Sequence, residues 1–251
     1  FIDNTFVSLK IKQSDNIFSP ITLIGRSAIT VFRISGYDIS SVVSSRNNVI
    51  SLEPRKSTYI KINCSLFKDV VLVTYFPSPH SYTGEDVIEI SIHGGRVNAE
   101  LFINYLSRSH NIRQAKAGEF TKRALINDKI DLLQSEAIVD LIDSKTYGQA
   151  KIASDQLFGS LSSFCNKIRL NIIDSLALVE AYIDFPDQDL PKEVTQNISN
   201  KIVESKALLD EFMESESDAT KIRSGFSVSI IGPTNVGKSS LMNHIAQDDI
   251  A

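Results

Sequence analysis

The hydrophobic period of the chain changes near residue 95, and that change limits the folds open to it. Up to His93 the apolar residues lie in short runs rich in Ile, Val, Thr, Phe and Tyr: Asp15 to Ile24, Ile29 to Gly36, Tyr59 to Phe67, Val70 to Phe76 and Val87 to His93. Turn residues such as Pro54, Pro77-Ser78-Pro79 and Gly84 separate several of them, so they read as strands. Behind the Gly94-Gly95 turn, Val97, Leu101, Tyr105 and Leu106 recur at helical spacing and predict one amphipathic helix. The result is an α/β or α+β domain over residues 1–127.

Residues 128–223 predict a second, all-α domain. The pattern is helical from about Leu132 to Tyr182, and Leu157, Leu161, Phe164, Ile168, Ile172, Leu176, Val179 and Ile183 form the stripe of a long bundle helix. Pro186 ends it within the acidic loop Asp184 to Asp189, and a second helix carrying Val194, Ile198, Ile202 and Leu209 runs to about Ile222. Asp184, Asp187 and Asp189 lack the ligand spacing of a calcium loop and read as a solvated turn.

Residues 224–251 carry the most specific motif. The β-branched run Phe226 to Ile231 leads into Gly232-Pro-Thr-Asn-Val-Gly237-Lys238-Ser239, a P-loop pattern whose chance occurrence in a chain of this composition is roughly one in a hundred. A strand before the loop and a helix after it would let backbone N–H groups and the helix N-terminus cradle phosphates. Lys238 would then neutralise the β- and γ-phosphates and Ser239 would hold Mg²⁺. Only 12 residues follow Ser239. A nucleotide-binding α/β domain needs well over a hundred residues, so the first strand, the phosphate loop and the first helix are expected here.

Charge narrows the functional classes. Residues 1–133 hold 16 basic against 12 acidic residues, residues 134–222 hold 8 against 16, and the chain as a whole is at −4. A nucleic-acid partner would therefore need a local patch on the first segment or a separate protein to hold it. Hydrophobic residues make up 42% of the sequence, enough for packed cores, and no run of 18 apolar residues offers a membrane span. Cys64 and Cys165 stand far apart without a C-x-x-C spacing, which argues against a disulfide framework or zinc site and for a reducing compartment. The chain opens on Phe1, so a targeting segment could precede it. The location stays partly open on these grounds.

Several polar residues have a plain reading beside a functional one. Alternation in Val87 to His93 puts Ile88, Ile90 and Ile92 on one face and Glu89, Ser91 and His93 on the other, which is either wet or polar for a purpose. Arg33 shares a face with Ile29 and Val31, so its guanidinium should find a carboxylate, in the protein or in a ligand. His93 precedes a turn where backbone could approach a ligand, though a hydrogen-bonded structural histidine is the plainer reading. Lys129 reads as a solvated loop lysine, and Glu119 as an acid near the positive end of a short helix.

Taken together, several blocks resemble the MnmE (TrmE) family of tRNA wobble-uridine modification GTPases. They are Phe32-Arg-Ile-Ser-Gly36, Tyr82-Thr-Gly-Glu-Asp-Val-Ile-Glu89 with His93-Gly-Gly95, Gly118-Glu-Phe-Thr-Lys-Arg-Ala124, Asn127-Asp-Lys-Ile-Asp-Leu-Leu-Gln-Ser-Glu-Ala137 and Ile183-Asp-Phe-Pro-Asp187, followed by the P-loop. The resemblance implies a multidomain α+β protein. It would have an aminomethyltransferase-like folate-binding and dimerisation domain, an all-α helical domain and a Ras-like P-loop GTPase domain inserted into the latter. It further implies a homodimer that joins an FAD-dependent MnmG partner in a heterotetramer. That assembly installs a carboxymethylaminomethyl or aminomethyl group at C5 of the wobble uridine (position 34) of tRNA. The one-carbon unit would come from 5,10-methylenetetrahydrofolate, for which 5-formyltetrahydrofolate is a stable analogue, and the reaction is coupled to potassium-dependent GTP hydrolysis.

By the same resemblance the reduced-folate contacts fall on Arg33, Glu89 and Lys129. The GTP contacts fall on Asn235, Val236, Gly237, Lys238, Ser239 and Ser240, with K⁺ at Asn235 and Mg²⁺ at Ser239. Ser27-Ala28, Ala117 and Pro233-Thr234 depart from the family pattern without removing one of these contacts. The catalytic residue of GTP hydrolysis is expected outside this sequence, so this chain alone is not expected to hydrolyse GTP. The rival readings are a GTP-regulated dimeric scaffold with no one-carbon chemistry of its own, and a stand-alone folate-dependent aminomethyltransferase.

Overall fold

A computed structural model describes residues 15–42, 51–109, 112–184, 192–224 and 228–246. They form two compact units, Phe1–Val139 and Asp140–Ala251. The acidic stretch after Asp184 lies outside the described residues.

The first unit is built on a six-stranded sheet of order β3-β4-β5-β2-β1-β6. Its strands are β1 (Asn16–Pro20), β2 (Ile29–Gly36), β3 (Thr58–Asn63), β4 (Lys68–Phe76), β5 (Asp86–His93) and β6 (Ile112–Gln114). All neighbours are antiparallel except β1 and β6. All five strands expected from the sequence are present: the first stops short at Pro20 and the third at Asn63, while the fourth begins earlier, at Lys68. Three-residue β6 has too short a run to show an alternation of its own.

Alternation sorts the faces as expected. Phe32 and Ile34 of β2 and Ile88, Ile90 and Ile92 of β5 are buried, and helix α1 (Arg96–Ser109) covers them with Ala99, Phe102 and Leu106. This corrects the sequence expectation, since Val97 and Leu101 are exposed at 70% and 45%. The helix is turned so that Ala99 permits close approach, while the ring of Phe102 sits 4.9 Å from Phe32 and 4.8 Å from Phe67. A buried Phe removes far more apolar surface from water than Val97 could, so it sets the rotation.

Helix α2 (Glu119–Ile126) follows β6, and within helix α3 (Leu132–Asp143) the chain passes into the second unit. The long helical pattern is interrupted there: α4 (Tyr147–Leu157) and α5 (Ser160–Asp184) are separate helices. Thr146 starts α4 with a capping box, accepting from the Gln149 N–H at 3.2 Å while the Gln149 side chain accepts from the Thr146 N–H at 3.1 Å. Gly159, at φ 88°, ends it in the left-handed conformation.

Helix α6 (Lys192–Ser224) runs against α5. The seam follows the expected stripe at Phe164, which stacks on Phe212 at 4.8 Å, and departs from it further along, where Asn171 donates to Ser205 Oγ at 3.3 Å and Ser175 and Ser205 are buried. Ile172, Leu176, Val179, Ile183, Ile202 and Leu209 are exposed instead. A helix pair covers one stripe of each partner, and here the small serines allow the backbones to meet beside the widest apolar band.

Among the described residues of the run expected as a strand, Val228 to Ile231, no strand forms and Val228 and Ile231 are exposed. A β-branched run becomes a strand only through a ladder partner, and the described residues supply none. Helix α7 (Lys238–Ala246) follows the P-loop as expected.

Candidate functional site

The register of the sheet places Arg33 of β2 directly opposite Glu89 of β5. Arg33 donates from Nε and Nη2 to Glu89 Oε1 at 3.0 and 2.8 Å, so the carboxylate that the arginine required is a protein group fifty-six residues away. The pair is half-buried, and the guanidinium lies 4.4 Å above the ring of Tyr82 and 5.7 Å from that of Phe120. Arg33 Nη1 and Glu89 Oε2 make no hydrogen bond among the described residues. Arg33 Nη1 and Glu89 Oε2 are therefore not used up by the pair.

Lys129 is brought to the same neighbourhood by its backbone. Asn127 caps α2, Asp128 takes φ 54°, and Asn127 Nδ2 donates to Thr83 O at 2.7 Å. Gly84, at φ 76°, lies against the Lys129 stem: a Cβ there would fall 3.2 Å from Lys129 Cδ. Tyr82 faces Arg33 and Gly84 faces Lys129, so one short loop touches both cations. Lys129 is exposed, and its ammonium makes no ion pair among the described residues.

Sequence reasoning missed the groups that frame this cluster. Tyr82 O–H is 3.0 Å from Thr121 Oγ1, which ties the loop to α2. Beneath them lies a buried ionic network: Arg123, 1% exposed, meets Glu85 at 3.0 and 3.2 Å, Glu119 at 3.1 Å and Asp15 at 3.1 Å. Ser35 Oγ donates to Glu85 Oε2 at 2.7 Å and lies 2.6 Å from Thr83 Oγ1. Glu119 is more than the helix-end acid expected. Hydrogen bonds from Arg113 chiefly, with the Lys116 N–H and Arg123, outweigh burial and hold its carboxyl at about 2. Burial pushes Asp15 up, but Arg113 and Arg123 keep it below the usual carboxylate range.

His93 lies at the end of β5, four residues from Glu89 on the same face. Its Nδ1 is 2.6 Å from Asp69 Oδ1, and Asn98 donates to Asp69 Oδ2 at 3.0 Å. Burial raises the Asp69 carboxyl, yet the hydrogen bonds from Asn98 and His93 bring it below its ordinary value. Gly94 is required here, since a Cβ would fall 2.1 Å from Ser27 O.

In the second unit the P-loop has formed its turn. Asn235 takes φ 62° and Gly237 φ 88°, and Leu241 N donates to Gly237 O at 2.9 Å as α7 begins. Lys238 Nζ folds back onto Gly232 O and Pro233 O at 3.1 and 2.5 Å. Val236, Ser239 and Ser240 are exposed. The first amides of a helix have no intrahelical partner, so this arrangement fits an anionic phosphate group. Among the described residues no group of three His, Cys, Asp or Glu could hold a metal ion. A cation here would depend on Asn235, Ser239 and the phosphates themselves.

Fold and motifs together define a nucleotide-motif protein with a separate N-terminal sheet domain. The family model for the GTP-binding protein TrmE N-terminus matches residues 16–129, and that for the MnmE helical domain matches residues 132–250. Proteins called tRNA modification GTPase MnmE align along most of the chain. The one from Rickettsia rickettsii is 40% identical over 240 residues, covering 94% of this chain and 54% of the relative. Those from Pelagibacter ubique and Neorickettsia sennetsu are 41% and 39% identical, covering 90% and 94% of this chain and 52% and 43% of theirs. The chain belongs to the MnmE family of tRNA modification GTPases, and it spans about half the length of the curated relatives it matches.

Proposed function

We propose that this chain carries the one-carbon-binding part of a tRNA wobble-uridine modification GTPase, with Arg33, Glu89 and Lys129 holding a reduced folate. The observation that carries the reading is the half-spent ion pair: Glu89 Oε2 and Arg33 Nη1 remain open above Tyr82, with the Lys129 loop alongside. A carboxylate with a free oxygen suits a pterin amino or ring N–H, and the two cations suit carbonyl or anionic groups. Bound 5,10-methylenetetrahydrofolate would supply the one-carbon unit. The chain's own residues would bind and orient it.

The P-loop residues Asn235 to Ser240 would bind GTP, with K⁺ at Asn235 and Mg²⁺ at Ser239. The proposed context is a cytoplasmic homodimer working with an MnmG-type FAD protein on tRNA. No helix among the described residues is long and apolar enough to cross a membrane. The runner-up is the dimeric scaffold, favoured by the fact that Arg33 and Glu89 already satisfy each other in part.

Calorimetric titration with 5-formyltetrahydrofolate separates the two, with Glu89→Ala alongside and light scattering to establish the oligomeric state. Saturable binding lost in Glu89→Ala supports the folate site. Equal affinity in both proteins removes Glu89 as an anchor, and no binding by a folded dimer leaves the scaffold.

A further inference from the structure

The strongest unexplained feature of the first unit is a nearly inaccessible arginine surrounded by carboxylates. Arg123 belongs neither to the hydrophobic cluster under α1 nor to the groups assigned to folate. A buried ion cluster is a poor source of stability, because apolar side chains of the same volume do as well. What a guanidinium fork supplies is geometry: planar donors at fixed angles, with Nη1 shared between Glu85 and the Asp15 carbonyl and Nη2 between Glu119 and the Asp15 carboxylate, while the buried Nε has no partner among the described residues.

We propose that Arg123 is a positioning residue for the candidate folate site, fixing the Tyr82–Asp86 loop and the Lys129 loop relative to Arg33 and Glu89. The inference rests on the folate reading for the identity of the ligand, but its geometry stands without it. Arg123 Nη1 holds Glu85, which accepts from Ser35, two residues beyond Arg33 on β2. Ser35 also contacts Thr83, whose carbonyl accepts from Asn127, two residues before Lys129. On the helix side, Arg123 and Glu119 pair across one turn of α2, whose Phe120 and Thr121 reach Arg33 and Tyr82. The strand carrying Arg33, the loop facing it and the helix leading to Lys129 are thus locked together at one buried side chain.

The test compares the full chain with Arg123→Lys, which keeps the charge and loses the fork, and with Glu85→Gln, which preserves shape should the first variant fail to fold. Two readouts are taken: hydrogen exchange of segments 82–86 and 127–129, and titration with 5-formyltetrahydrofolate. Phe102→Leu, a change in the core packed on Phe32 at the sheet face opposite to Arg33 and Ser35, serves as the control for general destabilisation.

The expected result is faster exchange in both segments together with unchanged β3 and β4. Affinity should weaken about tenfold, as outer-shell partners of ligand-holding groups typically cost, while Phe102→Leu leaves affinity unaltered. Unchanged exchange in either segment overturns the proposal, and so does loosened exchange with unaltered affinity. Affinity that falls equally in Phe102→Leu reduces Arg123 to a stability role and overturns it as well. If the unsubstituted chain takes up no 5-formyltetrahydrofolate, the folate reading fails by itself, and coupled loosening of the two segments alone then upholds or overturns the positioning role.

Discussion

Replacing Glu119 by glutamine tests the network through its proton linkage. The carboxylate is 7% exposed and receives two bonds from Arg113, one from Arg123 and one from the Lys116 N–H. These hold it at about 2 against an ordinary 4.5. A gap of that size corresponds to about 3 kcal/mol of native-state stabilisation. Because the folded-state value is the lower one, the contribution is complete above the unfolded value and is lost as pH falls toward 2. About half should be gone by roughly pH 3. Glu119→Gln keeps the shape and removes the charge, so the two proteins should differ by about 3 kcal/mol at pH 7 and converge near pH 2. The chain has no tryptophan, so urea unfolding is followed by near-ultraviolet circular dichroism of its tyrosines, five of which lie in the first unit. A difference that is the same at pH 7 and pH 3, or below about 1 kcal/mol at pH 7, would refute the linkage argument.

Three further changes address packing and backbone. Phe102→Ala should cost about 3–5 kcal/mol in the same urea assay, because the ring is fully buried between Phe32 and Phe67; a loss below about 1 kcal/mol would mean α1 is not the cover of the sheet. Gly94→Ala should lower the thermal midpoint, since its Cβ would strike the Ser27 backbone, whereas Gly95→Ala meets no atom and is opposed only by its φ of 117°; equal melting of Gly94→Ala and the unsubstituted chain would argue against that close approach. Thr146→Ala removes the acceptor of the α4 capping box and should cost about 1 kcal/mol, read as lost protection from hydrogen exchange in the first turn of that helix.

The five longer strands and the helix after them were legible because alternation and helical spacing are local properties, whereas three-residue β6 and the splits between α3, α4 and α5 were not. Val87 to His93 shows its buried face in the residues themselves, and that face is the one α1 covers. Which side of a helix turns inward is not local. In α1 the larger buried area of Phe102 overrode the spacing of Val97 and Leu101, and between α5 and α6 the small side chains of Ser175 and Ser205 drew the seam away from Ile172 and Leu176. The break at Phe158-Gly159 was visible as a glycine, but only its positive φ makes it a helix end.

The candidate site shows the same division more sharply. The polar face of β5 and the need of Arg33 for a carboxylate could be read from the sequence, yet the choice between a protein and a ligand partner depended on register. Register gives a mixed answer: Glu89 is the partner, but only one of its oxygens is used. A fully satisfied pair would be a structural bridge, and an unpaired Arg33 on that face would be an unsupported cation. On the proposed folate reading, the half-satisfied pair would hold the two side chains in place while leaving Arg33 Nη1 and Glu89 Oε2 for an incoming group, so that part of the ordering cost would be met before binding. The aromatic ring beneath the guanidinium and the buried Arg123 network behind it both act in that direction, by removing freedom from groups that would otherwise have to be ordered on binding.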